Sequence, residues 1–302
     1  MRRLFSFIIA ICLFVSCFSA GAFAQGTGAR AVIGVDLSED QVAMVYNAFG
    51  VARGSVPELR MTNAMEREYL EGYVDSSIIG TKSISCAYVE FKGDGSGMDV
   101  SVSNITWCTP EMYIAALATA GITDARIIVA APIQVSGTAA LAGIYWAYED
   151  ITGLKLDETA KLVSTQELTV TGDLASTIGS MDATDIVYDL KLMLEETRTM
   201  SDAEIRQEII AIAAQYNVSL TEKQIGQLIS LCRSLEGLDD ASLISRIQEV
   251  QGTLTKVSTA STKVVGFITS AKKVVTSVAS FFNRISGIIG WGASDETTFE
   301  VQ

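Results

Sequence analysis

The chain has 302 residues, a formal net charge of −13, 49% hydrophobic residues and no histidine. That apolar share is ample for one large or two modest domains, and the acidic balance argues against a nucleic-acid binder. The missing histidine removes Ser-His-Asp and Cys-His catalysis and the His-based zinc sites of metallopeptidases.

Residues 1–24 carry Arg2-Arg3, an apolar core over 4–15 and the small-residue end Ala22-Phe23-Ala24, the three-part pattern of a secretory signal peptide cleaved near Ala24. A lipoprotein cleavage site at Cys17 is the weaker alternative, because Phe14 is a poor residue three positions before that cysteine. Losing the two signal arginines takes the formal charge from −13 to −15. The chain is therefore expected to be secreted or extracytoplasmic and envelope-associated.

Residues 31–35 read as a first strand. Ser38 with Gln41 forms a capping box for a helix closing near Gly50, and Asn63 with Glu66 repeats the signal for a short helix ending at Gly72. Residues 83–91 and 98–109 alternate in hydropathy around Gly93-Asp94-Gly95-Ser96-Gly97, which predicts a hairpin with Cys86 opposite about Asn104. In that register Cys86 and Cys108 are too far apart to join, so Cys86, Cys108 and Cys232 are expected as buried free thiols. Thr109 with Pro110 starts a helix that stops at Gly121.

Residues 124–153 form the stretch around which the rest is arranged. Residues 126–131 are apolar and rich in β-branched side chains, Pro132 stops the strand, Ser136 caps the next helix, and residues 139–151 are helical up to Gly153. The carboxyl end of such a strand faces a helix amino terminus, whose free N–H groups favour an anion. Most such joints bind nothing and a plain connector is the favoured reading; if the joint does bind, Pro132, Ser136, Gly137 and Thr138 are the candidate ligand-binding residues. At most four strands are expected.

Helices follow at residues 157–178, 183–197, 201–217 and 221–235, with capping boxes at Ser201/Glu204 and Thr221/Gln224 and with Gly172 and Gly179 as candidate breaks in the first. From Leu243 to Ile289 apolar or small residues recur in alternating steps of four and three, a heptad seam that would make a rod of roughly 70 Å. Residues 250–294 lack Asp and Glu and carry Lys256, Lys263, Lys272, Lys273 and Arg284, for +5, whereas residues 25–249 sum to −17. The favoured reading of this helix is packing against the chain's own helical half or a second copy, with a processed or disordered tail as the least favoured. Otherwise, with Phe281, Phe282 and Trp291 on the apolar side, these cations are candidate contacts to an anionic membrane surface, a wall polymer or a partner. A homo-oligomer through residues 243–289 is a further expectation. The organisation is read as signal peptide 1–24, α/β domain 25–180, helical bundle region 181–238, basic amphipathic helix 239–291 and acidic tail 292–302.

The fold class is α/β, with α+β as the alternative: a small mixed sheet with helices, then a mainly helical half ending in a long amphipathic helix. The motifs Gly34-Val35-Asp36-Leu37, Tyr69-Leu70-x-Gly72, Ile79-Gly80-Thr81-x-Ser83-Ile84-Ser85, Asn104-Ile105-Thr106-Trp107 and Glu111-Met112-Tyr113 resemble the YpuA-like family, domain of unknown function 1002. So do Ala120-Gly121-Ile122-x-Asp124-Ala125, Thr152-Gly153 and the most specific block, Ala131-Pro132-x-x-Val135-Ser136-Gly137-Thr138-Ala139-Ala140-Leu141. The likeness covers roughly residues 30–195 and weakens beyond about residue 200. It implies a secreted protein of a bacterial envelope, mainly in Gram-positive bacteria, and brings no catalytic residues to carry over.

Available chemistry is limited. No P-loop and no G-x-G-x-x-G is present. Glu111, Glu149 and Asp150 could in principle form a carboxylate pair for glycan cleavage, although Glu149 and Asp150 diverge by about 100° on a helix and solvated helix faces are the favoured account. Ser136 or Thr138 as nucleophile would need a lysine base, and none stands close in sequence. Trp107, Tyr113, Tyr145, Trp146 and Tyr148 could line a groove or fill a core. No catalytic residue, metal or cofactor is assigned. The leading expectation is a non-enzymatic envelope module; the alternative is a cell-wall ligand-binding or carboxylate-based hydrolytic domain with its site at residues 132–138.

Overall fold

A computed structural model describes residues 28–74 and 76–261. The signal peptide, Cys17, the seam beyond Ser261 and the acidic tail lie outside the described residues. Chain contacts divide the protein into two units, residues 1–254 and 255–302.

The first unit is an α/β body with a mixed sheet of five strands: β1 Ala29–Gly34, β2 Glu58–Met61, β3 Cys86–Phe91, β4 Asp99–Ile105 and β5 Ala125–Val135. Their spatial order is β2-β1-β3-β5-β4. Strands β1 and β2 pair parallel, as do β4 and β5, while β3 is antiparallel to both β1 and β5. The carboxyl ends of four strands therefore share one edge of the sheet, where the chain enters β3.

Three expectations are corrected here. The strands flanking Gly93–Gly97 do not form a hairpin, because β5 inserts between them: Cys86 pairs with Ala130 and not with Asn104. Five strands form rather than four, the addition being β2, a short edge strand. Pro132 does not end its strand. Pairing of β5 with β4 runs to Ser103↔Ala130 and resumes at Ile105↔Val135, so Pro132 sits at an irregularity where its missing N–H breaks no ladder bond.

Helices cover both sheet faces. Helix α1, Glu39–Phe49, starts at the expected Ser38/Gln41 capping box and ends at Gly50. Its Val42, Val45, Tyr46 and Phe49 pack with Ala31, Ile33, Cys86, Tyr88, Ile128 and Ala130 on one face. The alternate residues look the other way, where Gly143 of α5, Thr138–Thr152, comes up against Val32. Burial on both faces explains why the centre of β5 reads as an unbroken apolar run.

Helix α2, Asn63–Leu70, is capped by Thr62 rather than Asn63; Thr62 Oγ1 accepts the Met65 N–H at 3.3 Å. The short α3, Ser76–Ile79, follows. Helix α4, Pro110–Ala120, has the predicted Thr109 cap and Gly121 stop. Helix α6, Glu158–Ile178, passes through Gly172 unbroken, with the Trp107 indole against that glycine, and ends at Gly179. Next come α7 Ser180–Leu192, α8 Leu194–Thr197, α9 Asp202–Gln215 and α10 Glu222–Leu235, the last two with both predicted capping boxes. A second core of Leu, Ile and Val side chains joins α6 to α10 and takes in Leu243 and Ile247. These two residues and Val250 open helix α11, Asp240–Ser261, and are at most 2% exposed, so the beginning of the heptad seam is buried in the chain's own body.

Candidate functional site

Most of the family-like motifs gather at the carboxyl edge of the sheet, where open α/β sheets ordinarily take ligands, whereas residues 120–125 lead into the amino end of β5 and Thr152-Gly153 closes α5. Two clusters stand there. The first is the joint that follows β5. Val135 accepts from Thr106 N–H at 2.9 Å, and Ser136 O accepts from Cys108 N–H at 3.0 Å. The Tyr113 hydroxyl, wholly buried on α4, donates to the Gly137 carbonyl at 2.5 Å, and the Asn104 amide donates to Ala131 O at 2.8 Å. Gly137 has φ +97°; a Cβ there would stand 2.5 Å from Ile105 Cγ2 and 2.8 Å from Tyr113 Oη. Only glycine fits that position.

The cap of α5 is therefore Gly137, without a side-chain hydrogen bond, and not the expected Ser136. Ser136 Oγ and Thr138 Oγ1 lie 3.3 Å apart, and Thr138 is 1% exposed. Of the four sequence candidates, Pro132, Gly137 and Thr138 are buried and Ser136 is half-buried. The joint is brought together as predicted, but its polar groups bond to one another and to α4.

The second cluster carries residues that the sequence analysis did not single out as a site. Glu66 is fully buried on α2, accepting from Ser83 Oγ at 2.5 Å and from Asn63 Nδ2 at 3.2 Å. Ser83 N–H in turn donates to Asp36 Oδ2 at 2.8 Å. A Cβ on Gly34 would come within 2.1 Å of the Ser83 carbonyl, so the segment entering β3 lies directly on the end of β1. Arg67 holds the same segment through Gly80 O at 2.7 Å. Burial raises the Glu66 carboxyl to about 7 against the hydrogen bonds from Ser83 and Asn63, with Asp36 adding to the rise. The Asn63/Glu66 spacing, read as a capping box, is the only trace of this arrangement in the sequence; Leu70, also buried, lies one turn further along the same face.

The other named carboxylates and aromatics do not converge. Glu149 accepts from Lys155 Nζ at 2.7 Å and Lys161 Nζ at 3.1 Å. Burial opposes its charge, but those bonds and the Leu156 N–H outweigh burial and hold its carboxyl below the usual range. Asp150 pairs with Arg30 at 2.5 Å, and Glu111 is buried in the first turn of α4. The three carboxylates do not assemble into an acid–base pair, and Glu111 and Glu149 are buried rather than on solvated helix faces. Tyr113 and Tyr145 fill the core, Tyr145 bonding Ser164 Oγ at 2.7 Å, and line no groove.

Cys86, Cys108 and Cys232 are free and buried, as expected. Burial pushes the Cys86 and Cys108 thiols up to about 12 and Cys232 to about 11. Thiols held so high carry almost no thiolate at neutral pH and are poor nucleophiles. Among the described residues no group of His, Cys, Asp and Glu is placed to hold a metal ion, and no helix is long and apolar enough to cross a membrane. Of the membrane- or partner-contact candidates, Lys256 falls on α11, and Lys263, Lys272, Lys273, Phe281, Phe282, Arg284 and Trp291 lie outside the described residues.

A family model described as protein of unknown function (DUF1002) matches residues 33–257, extending well past the motif-bearing region into the helical half. The chain is also 36% identical over 208 residues to "Uncharacterized protein YpuA" of Bacillus subtilis (strain 168), covering 68% of this chain and 71% of that protein. No solved structure matches.

Proposed function

The chain belongs to the DUF1002 family of proteins of unknown function, and we propose that it is an exported, envelope-associated binding or structural module without catalytic activity. The observation that carries this reading is where the reactive side chains go. Glu149, Asp150, Cys86, Cys108 and the 136–138 joint, the groups from which a catalytic site would be built, are bonded or buried inside the body. Export is supported by the signal-peptide pattern of residues 1–24 and contact with the envelope by the charge asymmetry, −17 over residues 25–249 against +5 over residues 250–294.

Leu243, Ile247 and Val250, in the first part of α11, are buried in the body. The cations from Lys256 onward are then the contacts for an anionic membrane surface or wall polymer, and a seam shared with a second copy would begin beyond Val250. Fractionation of host cells tests the reading. The wild-type chain is expected in the envelope fraction with its amino terminus near Gln25, and a variant with Lys256, Lys263, Lys272, Lys273 and Arg284 all changed to Gln is expected in the medium. Retention of wild-type chain in the cytoplasm, or equal envelope binding by the variant, contradicts it.

A further inference from the structure

We propose that a groove between α6, α10 and the turn after α2 binds an uncharged, hydroxyl-rich glycan strand, with Tyr73 as its stacking platform. The groove has a volume of about 410 Å³ and is lined chiefly by Tyr73, Gln166, Asp173, Lys223, Gln227 and Ser230. It lies apart from the carboxyl-edge joint and does not depend on the basic segment.

The turn is built to present Tyr73. Leu70 and Val74 on either side are buried, at 0% and 5%, in a small cluster with Ile79 and Ala139. Gly72 takes φ +93° and the Tyr73 N–H bonds to Leu70 O at 3.1 Å. Tyr73 itself stays 39% exposed, one of the few large apolar side chains so displayed. Across the groove, planar polar groups are already set by one another. Gln227 Nε2 donates to Asp173 Oδ2 at 3.0 Å, and Gln166 Nε2 donates to Ser230 Oγ at 3.2 Å. The second oxygen of Asp173 and the Gln227 amide oxygen accept no hydrogen bond among the described residues, leaving two acceptors on adjacent groups.

An exposed aromatic ring facing fixed amide, carboxylate and hydroxyl groups is the chemistry that recognises a sugar. Ring C–H groups stack on the aromatic face, and vicinal hydroxyls bridge paired acceptors. A peptide would ask for apolar side-chain pockets or an open strand edge, and Val170 is the only aliphatic side chain in the lining. Asp173 and Lys223 offset each other, so the groove favours neither sign of charge.

The test is an amide-resolved NMR titration of the full chain with two probes, a β-1,4-linked N-acetylglucosamine tetrasaccharide and cellotetraose. Saturable shifts at residues 73, 166, 173 and 227 with at least one probe are expected. Tyr73→Ala should weaken binding at least tenfold, Tyr73→Trp should keep it within about threefold, and Gln227→Ala, at a helical position that accepts alanine, should weaken it about fivefold. Ile210→Ser, an exposed change on α9, should leave it unaltered. Absence of saturable shifts with both probes, shifts centred elsewhere, or equal binding by Tyr73→Ala overturns the proposal.

Discussion

Lys191 Nζ lies 2.8 Å from Glu167 Oε1, and neither residue is more than 2% exposed. The pair is completed by neighbours: Thr119 Oγ1 donates to the other Glu167 oxygen at 2.5 Å, and Lys191 also donates to Ala115 O at 3.2 Å. Three helices, α4, α6 and α7, are thereby tied in the interior by one charged contact. Such a pair adds little net stability over an apolar replacement, but losing one partner strands a buried charge.

Lys191→Met should therefore destabilise the protein by about 3–5 kcal/mol. The double change Lys191→Met with Glu167→Leu should recover most of that loss. Urea unfolding of the two variants and the wild type checks this, and a single variant as stable as the wild type would show that the pair is not buried as described.

Glu66 should set a pH dependence. Its folded-state value is about 7 against an ordinary 4.5, so the fold prefers the neutral form. The contribution is complete below about 4.5 and is lost as pH rises through about 7. Glu66→Gln keeps the group neutral and should gain about 3 kcal/mol over the wild type at pH 8, with little difference at pH 4.5. Thermal melts across that range read the effect; parallel pH profiles for both proteins would contradict it.

Gly137→Ala places a Cβ against Ile105 and Tyr113 at a backbone angle that alanine avoids. The expected loss is about 3 kcal/mol. Tyr113→Phe leaves the Gly137 carbonyl without its buried donor and should cost about 1–2 kcal/mol. Denaturant midpoints distinguish the two, and the glycine variant should be the weaker.

The three thiols should resist alkylation in the native state at neutral pH and react fully in denaturant, since Cys86, Cys108 and Cys232 are both buried and held protonated. Mass spectrometry after iodoacetamide treatment counts the labels. Rapid native labelling of any of the three would contradict their placement.

What the sequence made legible was local. The Ser38/Gln41, Ser201/Glu204 and Thr221/Gln224 boxes and the Thr109-Pro110 start depend on contacts three or four residues apart, and each helix appears where it was read. The sheet order was hidden because the partner of Cys86 is Ala130, whose arrival between β3 and β4 no alternation pattern encodes. β2 escaped because only Met61 of its four residues is buried. Pro132 read as a stop because its tolerance comes from the irregularity opposite Asn104, which has φ +58°.

The candidate site was half legible for the same reason. The Pro132–Thr138 joint stood out by composition, but its closure by Tyr113, on a helix 24 residues earlier, is a tertiary fact. Glu66 looked like a capping residue because sequence spacing does not report which way a side chain turns once Ser83 arrives from a distant segment.

Co-sedimentation of the full chain with vesicles is the most direct measurement of the envelope proposal. Binding to anionic vesicles that weakens as salt rises, fails on neutral vesicles and disappears when Lys256, Lys263, Lys272, Lys273 and Arg284 become Gln is the result expected. Salt-insensitive binding to both kinds of vesicle, or none to either, would contradict an electrostatic contact with a membrane and return the basic segment to packing within the protein.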